Sequence, residues 1–256
     1  MRNRSAHGGR HELGQNFLVH RPTVRTIVDL VAATEGPILE IGAGDGALTK
    51  PLAHLGRSLR AVEIDEHRAD ALRSRLPGVD VRTADALRIP LDRPVIVGNI
   101  PFHLTTPLLR RLLSCGTWRH AVLLTQWEVA RKRAGVGGIT MMTAQSAPWF
   151  TFALRGRVPR NAFRPMPSVD GGILDIRRRS APLLPPAARR RYEAFVHRSF
   201  TDPGRDLRRA LTHGAARDRG HADRALASAG IPRGARARDL APEQWASLWR
   251  SLEAGR

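Results

Sequence analysis

Four short strand-like runs recur in the N-terminal part of the chain: Ile38-Leu39-Glu40-Ile41, Leu59-Arg60-Ala61-Val62-Glu63-Ile64-Asp65, Val79-Asp80-Val81-Arg82-Thr83 and Val95-Ile96-Val97. The first and last have the length and apolar content of buried strands, the other two read as strands, and helical segments at 47–55 and 66–76 separate the first three. Strands alternating with helices predict an α/β fold built on a parallel sheet. Open sheets of this kind assemble ligand sites at the carboxyl ends of their strands, so the residues that follow each run are the candidates for chemistry.

After the first run comes Gly42-Ala43-Gly44-Asp45-Gly46, and the strand, glycine loop and helix together suggest a Rossmann-like nucleotide site. The dinucleotide fingerprint G-x-G-x-x-G is absent. The spacing here is G-x-G-x-G, and the carboxylate of Asp45 would repel a pyrophosphate. A cofactor with a cationic amino group and no phosphate would be tolerated, and S-adenosylmethionine is one. The second run ends in Glu63 and Asp65, placed where a carboxylate takes both ribose hydroxyls; Glu63 is assigned that role and Asp65 the cap of the next helix. Asp85 follows the third run and can accept an adenine amino group.

The fourth run ends in Gly98-Asn99-Ile100-Pro101-Phe102. An exocyclic amine of a nucleobase has its lone pair delocalised into the ring, so a transferase must hold that nitrogen against its electrophile. The side-chain oxygen of Asn99 can accept one N–H, the carbonyl of Ile100 or Pro101 the other, and Phe102 can stack on an extruded base. These four residues are the candidate catalytic set.

Composition says what the partner is. The 256 residues carry 42 Lys and Arg against 23 Asp and Glu, a net charge of +19, and only Lys50 and Lys132 are lysines. Such an excess suits a polyanion, and Arg grips phosphate with a planar fork. Candidate RNA contacts are Arg131, Lys132 and Arg133 in one cluster, Phe163 and Arg164 at the crest of the stiff loop 159–169, and Arg208 and Arg209 downstream. Cys115 is the only cysteine, which excludes an intrachain disulfide and a multi-cysteine zinc site. No apolar leader and no membrane-length apolar stretch is present, so the expectation is a cytoplasmic protein without metal, working as a monomer. The expected organisation is a flexible basic arm at 1–12, a Rossmann-like domain at 13–180, and a smaller, basic, all-helical domain at 181–256, with helices near 187–200, 206–211, 222–229 and 242–252.

Taken together, Gln15-Asn16-Phe17-Leu18, Glu40-Ile41-Gly42-x-Gly44-x-Gly46-x-Leu48-Thr49, Glu63-x-Asp65, Asp85, Asn99-Ile100-Pro101-Phe102, Gln126-x-Glu128-Val129-Ala130 and Phe163-x-Pro165-x-Pro167-x-Val169 resemble the rRNA adenine-N6 methyltransferases. The stretch from Glu128 to Gln145 is similar to the erythromycin-resistance (Erm) branch, which acts on one adenine of 23S rRNA. In the sister branch, which dimethylates adjacent adenines of 16S rRNA, a Lys usually occupies the position of Ser168. The resemblance implies an S-adenosylmethionine site lined by Gln15, Asn16, Leu18, Gly42, Gly44, Glu63, Ile64, Asp85, Ala86 and Asn99. It also implies a 23S rRNA substrate, in protein-free or early precursor form, and resistance to macrolides, lincosamides and streptogramin B. A 16S rRNA dimethyltransferase and a non-catalytic rRNA-binding factor on the same scaffold stay open as alternatives. Because several arginines are assigned to phosphates, RNA binding measured by filter retention is expected to fall with salt at a log–log slope of magnitude about 5 or more.

Overall fold

The computed structural model describes residues 16–114, 117–202, 206–216 and 218–254. The expected basic arm at 1–12, Gln15 and Cys115 lie outside these residues. Two compact units divide the chain, one of Met1–Ala130 with Leu154–Ile176, the other of Arg131–Ala153 with Arg177–Arg256.

In the first unit, β1 (Phe17–Leu18) leads into α1 (Arg21–Ala32), followed by β2 (Ile38–Ile41), α2 (Thr49–Ala53), β3 (Leu59–Glu63), α3 (Glu66–Arg75), β4 (Asp80–Thr83), β5 (Val95–Asn99), α4 (Thr105–Ser114) and β6 (His120–Gln126). After α5 (Trp127–Arg133) and α6 (Met141–Ser146) come β7 (Phe150–Val158), β8 (Phe163–Arg164) and β9 (Gly171–Arg178). A seven-stranded sheet has the order β4-β3-β2-β5-β6-β9-β7, and β1 pairs antiparallel with β8 in a small second sheet. β2 lies parallel between β3 and β5, with Ile38 opposite Leu59 on one side and Val95 on the other. All four residues of β2 are buried, as a strand covered on both faces requires. The carboxyl ends of β2, β3, β4 and β5 therefore share one edge, as the four strand-like runs led us to expect.

Local chemistry explains the element boundaries. Asp65 caps α3 by accepting from the Arg68 N–H at 3.2 Å, and Pro22 occupies the first turn of α1. The helix expected over 47–55 shrinks to Thr49–Ala53 because the chain first turns back on itself, with the Gly46 N–H donating to the Ala43 carbonyl at 2.9 Å. Gly98 is required by contact: a Cβ there would lie 2.4 Å from the Ile41 carbonyl oxygen. Thus β5 presses against the end of β2, which brings the Asn99 tip beside the glycine loop.

The second unit is mainly helical, with α7 (Arg189–Thr201), α8 (Leu207–Gly214), α9 (Arg219–Ser228) and α10 (Pro242–Ala254). Its interior is aromatic. Tyr192, Phe195, Trp245 and Trp249 are buried, with ring centroids 5.7 Å apart for Phe195 and Trp245 and 5.8 Å for Tyr192 and Trp249. The expected boundary at residue 181 therefore needs correcting, since 131–153 belongs to this unit too. Hydrogen bonds from Tyr192 Oη to the Ala144 carbonyl (3.0 Å) and from Gln145 Nε2 to the Glu193 carbonyl (3.0 Å) tie α6 to α7. Helix α6 itself went unanticipated, because it is six residues of mixed polarity with no apolar period. No helix among the described residues is long and apolar enough to cross a membrane.

Three neighbouring strands are joined by a buried carboxylate. Asp175 on β9, 1% exposed, accepts from Arg155 of β7 (Nη2 at 2.7 Å, Nε at 2.8 Å), and its other oxygen lies 2.5 Å from His120 Nε2 of β6. Removing the carboxylate leaves buried His120 without this partner and frees Arg155, 40% exposed, from the sheet. Asp175→Ala is expected to lower stability by about 3 kcal/mol, read as a lower urea midpoint at unchanged slope.

Candidate active site

One cavity opens at the carboxyl ends of β2, β3 and β5 and beside the loop after β4. It gathers Asn16, Leu18, Gly42, Gly44, Glu63, Ile64, Asp85, Ala86, Asn99, Ile100, Pro101 and Phe102, which are all the expected cofactor and catalytic residues that fall within the described chain. The wall also includes Phe17, Val19 and Glu40, for which sequence reasoning had assigned no site role.

Glu63 is the pin of this site. Although it is 3% exposed, its Oε2 accepts from the Gly44 N–H at 2.7 Å and its Oε1 from the Ile64 and Asp65 N–H groups at 2.9 and 3.0 Å. A carboxylate offers about four acceptor directions, and three are used. Among the described residues these leave one direction open on Oε2. Next to it Ile64 stands 40% exposed, an apolar surface at the mouth of the cavity. Asp85 closes its own turn by accepting from the Leu87 N–H at 2.8 Å, and Arg111 of α4 braces that loop through the Ala86 and Ile89 carbonyls.

Among the described residues, Asn99 is oriented by a single side-chain bond. Its Nδ2 donates to the Asn16 carbonyl at 2.8 Å, and since a carbonyl can only accept, the amide cannot be turned round; Oδ1 is directed elsewhere. The carbonyl of Pro101 accepts from the Leu104 N–H at 2.9 Å in a short 3-10 turn, Phe102–Leu104. Of the two carbonyls considered from sequence, Ile100 is therefore the better placed to accept from a ligand.

Glu40 was legible as a carboxylate inside an apolar strand, a signal not used in choosing site residues. It is 1% exposed, and among the described residues its Oε2 has no hydrogen-bond partner. Burial pushes its carboxyl up to about 8, and the neighbouring Glu63 carboxylate adds to the rise. Among the described residues the ionisable side chains lining the cavity are all acids: Glu40, which burial holds toward its neutral form, with Asp45, Glu63 and Asp85. In a chain of net charge +19 this is a built exception, suited to a ligand with positive charge and hydroxyl groups and hostile to pyrophosphate.

Comparison with known proteins agrees with this chemistry. Residues 6–254 match the family described as ribosomal RNA adenine dimethylase. The chain belongs to this family. By that membership it is a ribosomal RNA adenine methyltransferase. An rRNA adenine N-6-methyltransferase from Corynebacterium diphtheriae is 56% identical over 208 residues, covering 79% of this chain and 82% of that protein. The mycinamicin-resistance protein MyrB of Micromonospora griseorubida is 49% identical over 249 residues, covering 95% and 79%. Among solved structures, the 23S rRNA methyltransferase ErmE superposes with a TM-score of 0.84 at 36% identity, covering 93% of this chain and all of ErmE.

For this family member the residues assigned to RNA divide. Phe163 is a correction: it is fully buried in the core of the first unit, with Leu18 paired opposite it across β1 and β8, and cannot stack on a base without leaving that core. Arg164, next in the same short strand, is exposed. Arg131 donates to the Val136 carbonyl at 3.1 Å and Arg133 to Thr140 Oγ1 at 2.7 Å, so both shape the loop after α5, whereas Lys132 is exposed. Arg208 grips Asp223 with two nitrogens, at 2.5 and 2.7 Å, tying α8 to α9 and holding the Asp223 carboxyl below its usual range; Arg209 is exposed.

The Glu40 environment predicts a pH effect with a definite sign. A carboxyl raised from 4.5 to about 8 in the folded, ligand-free protein binds a proton that the unfolded chain has released. Its contribution is nil below pH 4.5 and increasingly destabilising up to about pH 8. Glu40→Gln is therefore expected to gain melting temperature relative to the wild type as the pH rises across that interval, and scanning calorimetry of the two proteins checks it.

Proposed function

We propose that this chain transfers a methyl group from S-adenosylmethionine to the exocyclic N6 of one adenine in 23S rRNA, and so confers resistance to macrolides, lincosamides and streptogramin B. The observation that carries the reading is a cavity whose ionisable side chains, among the described residues, are all acids, with Asn99 in its wall. Support also comes from the relatives, one named for mycinamicin resistance and one for 23S rRNA methylation.

When bound, the cofactor supplies an electrophilic methyl on a sulfonium. The residues present fit it: the unpartnered oxygen of Glu40 suits its cationic end, the remaining acceptor direction of Glu63 suits a ribose hydroxyl, and Ile64 with Asp85 suits the adenine. Toward the substrate, Asn99 Oδ1 and the Ile100 carbonyl accept the two N–H bonds of the target amine and ease the nitrogen out of conjugation, while Phe102, half-buried, stacks on the flipped base. Catalysis is positioning plus a fixed polar cradle, with no strong base. The proton lost after transfer passes to water or to a loop carbonyl. In this reading the enzyme is a cytoplasmic monomer, acting on protein-free or early precursor rRNA, with exposed cations such as Arg164, Lys132 and Arg209 on the phosphates.

Methyl transfer is expected on protein-free 23S rRNA, with 16S rRNA and duplex DNA unmodified. Preference for 16S rRNA would move the assignment to the sister branch. Asn99→Ala is expected to cut turnover at least about a hundredfold, as loss of a preorganised polar contact to reacting atoms does. Donor affinity in that variant should weaken by no more than about tenfold, the worth of the lost bond to Asn16.

A further inference from the structure

Arg68 does not line the cavity, yet its guanidinium meets three of the segments around it. Its guanidinium carbon lies 4.2 Å from the centroid of the Phe17 ring, one terminal nitrogen pairs with Asp45 of the glycine loop, and Nε is 3.7 Å from Asp65 after β3. Phe17 in turn packs on the glycine loop, since a Cβ on Gly44 would lie 3.1 Å from two of its ring carbons. Residues 16–19 form one wall of the cavity. That wall is held by the β1–β8 pairing, by the bond from Asn99 Nδ2 to the Asn16 carbonyl, and by Arg68 through the Phe17 ring.

The position of Arg68 is set in advance. It sits in the first turn of α3, where its own N–H is capped by Asp65, and its side chain is 25% exposed. Asp45 is 58% exposed, so the ion pair alone is a weak tie. A cation held this close over an aromatic face is worth roughly two- to thirtyfold in an equilibrium. The fixed helix thus lends its rigidity to a two-residue strand that has little of its own.

We propose that Arg68 is a positioning residue for the methyl donor: by stacking on Phe17 and pairing with Asp45 it clamps residues 16–19 onto the glycine loop, and thereby sets donor affinity. The proposal rests on the S-adenosylmethionine reading above.

The test uses the full chain and measures Kd for S-adenosylmethionine by calorimetry, with KM and kcat on 23S rRNA, for the wild type, Arg68→Ala, Arg68→Lys, Phe17→Leu and the Arg68→Ala/Phe17→Leu double variant. Arg68→Ala is expected to raise Kd and donor KM about tenfold with kcat at saturating donor reduced less than about threefold, and Arg68→Lys to recover part of that loss. Phe17→Leu should cost a similar factor, and the double variant no more than about twice the larger single loss, because both act through one contact. Unchanged Kd in Arg68→Ala, losses that multiply in the double variant, or a fall in kcat with KM unmoved would overturn the clamp. Should Arg68→Ala not fold, Asp45→Asn together with Arg68→Lys carries the test, each expected to weaken binding by at least about twofold, and unchanged binding in both overturns it. A wild type that binds no S-adenosylmethionine overturns the donor assignment itself.

Discussion

Three backbone N–H groups converge on the carboxylate of Glu63, and the site exists because they do. Gly44 belongs to the loop after β2, Ile64 and Asp65 to the turn after β3, and one buried side chain fastens the two together. Backbone donors at a turn have no ladder to join, and a carboxylate satisfies them with charge-assisted bonds. With the loop so held, the chain can turn through Gly44 at φ +52°, and Phe17 can lie against it where a side chain would otherwise stand.

The same pin sets the electrostatics. Glu63 places negative charge beside Glu40, which burial alone already biases toward its protonated form. A ligand bringing its own positive charge would offset that bias and favour the ionised form of Glu40. Elsewhere the surplus of arginine is put to two uses that net charge does not separate. Some, such as Arg155 with Asp175 and Arg208 with Asp223, are internal ties between strands or helices; others, such as Arg164 and Arg209, stand in solvent. Only the second group is free to add to an attractive field for a polyanion.

Membership of the ribosomal RNA adenine dimethylase family and the shape of the cavity bear on each other. The family match spans nearly the whole chain, the helical unit included. What the geometry adds is how the cavity residues work together. Asn99 and Asn16 are one device, the first oriented by the second, and Glu63 serves the backbone before it serves any ligand.

Much was legible in the linear chain. Strand-like runs, interrupted by glycine and closed by polar residues, determined the parallel sheet, and with it the edge at which Gly42, Glu63, Asp85 and Asn99 meet, because periodicity and turn chemistry act over a few residues. The assignment of roles to individual cations and aromatics was not legible. Phe163 and Arg164 are adjacent and equally plausible as RNA contacts, yet strand alternation sends one into the core and the other to solvent, and only the pairing of β8 with β1 decides which. Helix α6 is tied to the second unit in part by Tyr192, 48 residues away, whose hydroxyl donates to the Ala144 carbonyl. The clamp of Arg68 on Phe17 likewise joins residues far apart in the chain that share no motif. Local sequence carries local conformation; which buried or paired partner a long side chain finds is a property of the assembled fold, since it depends on surfaces that come together only when the sheet has closed.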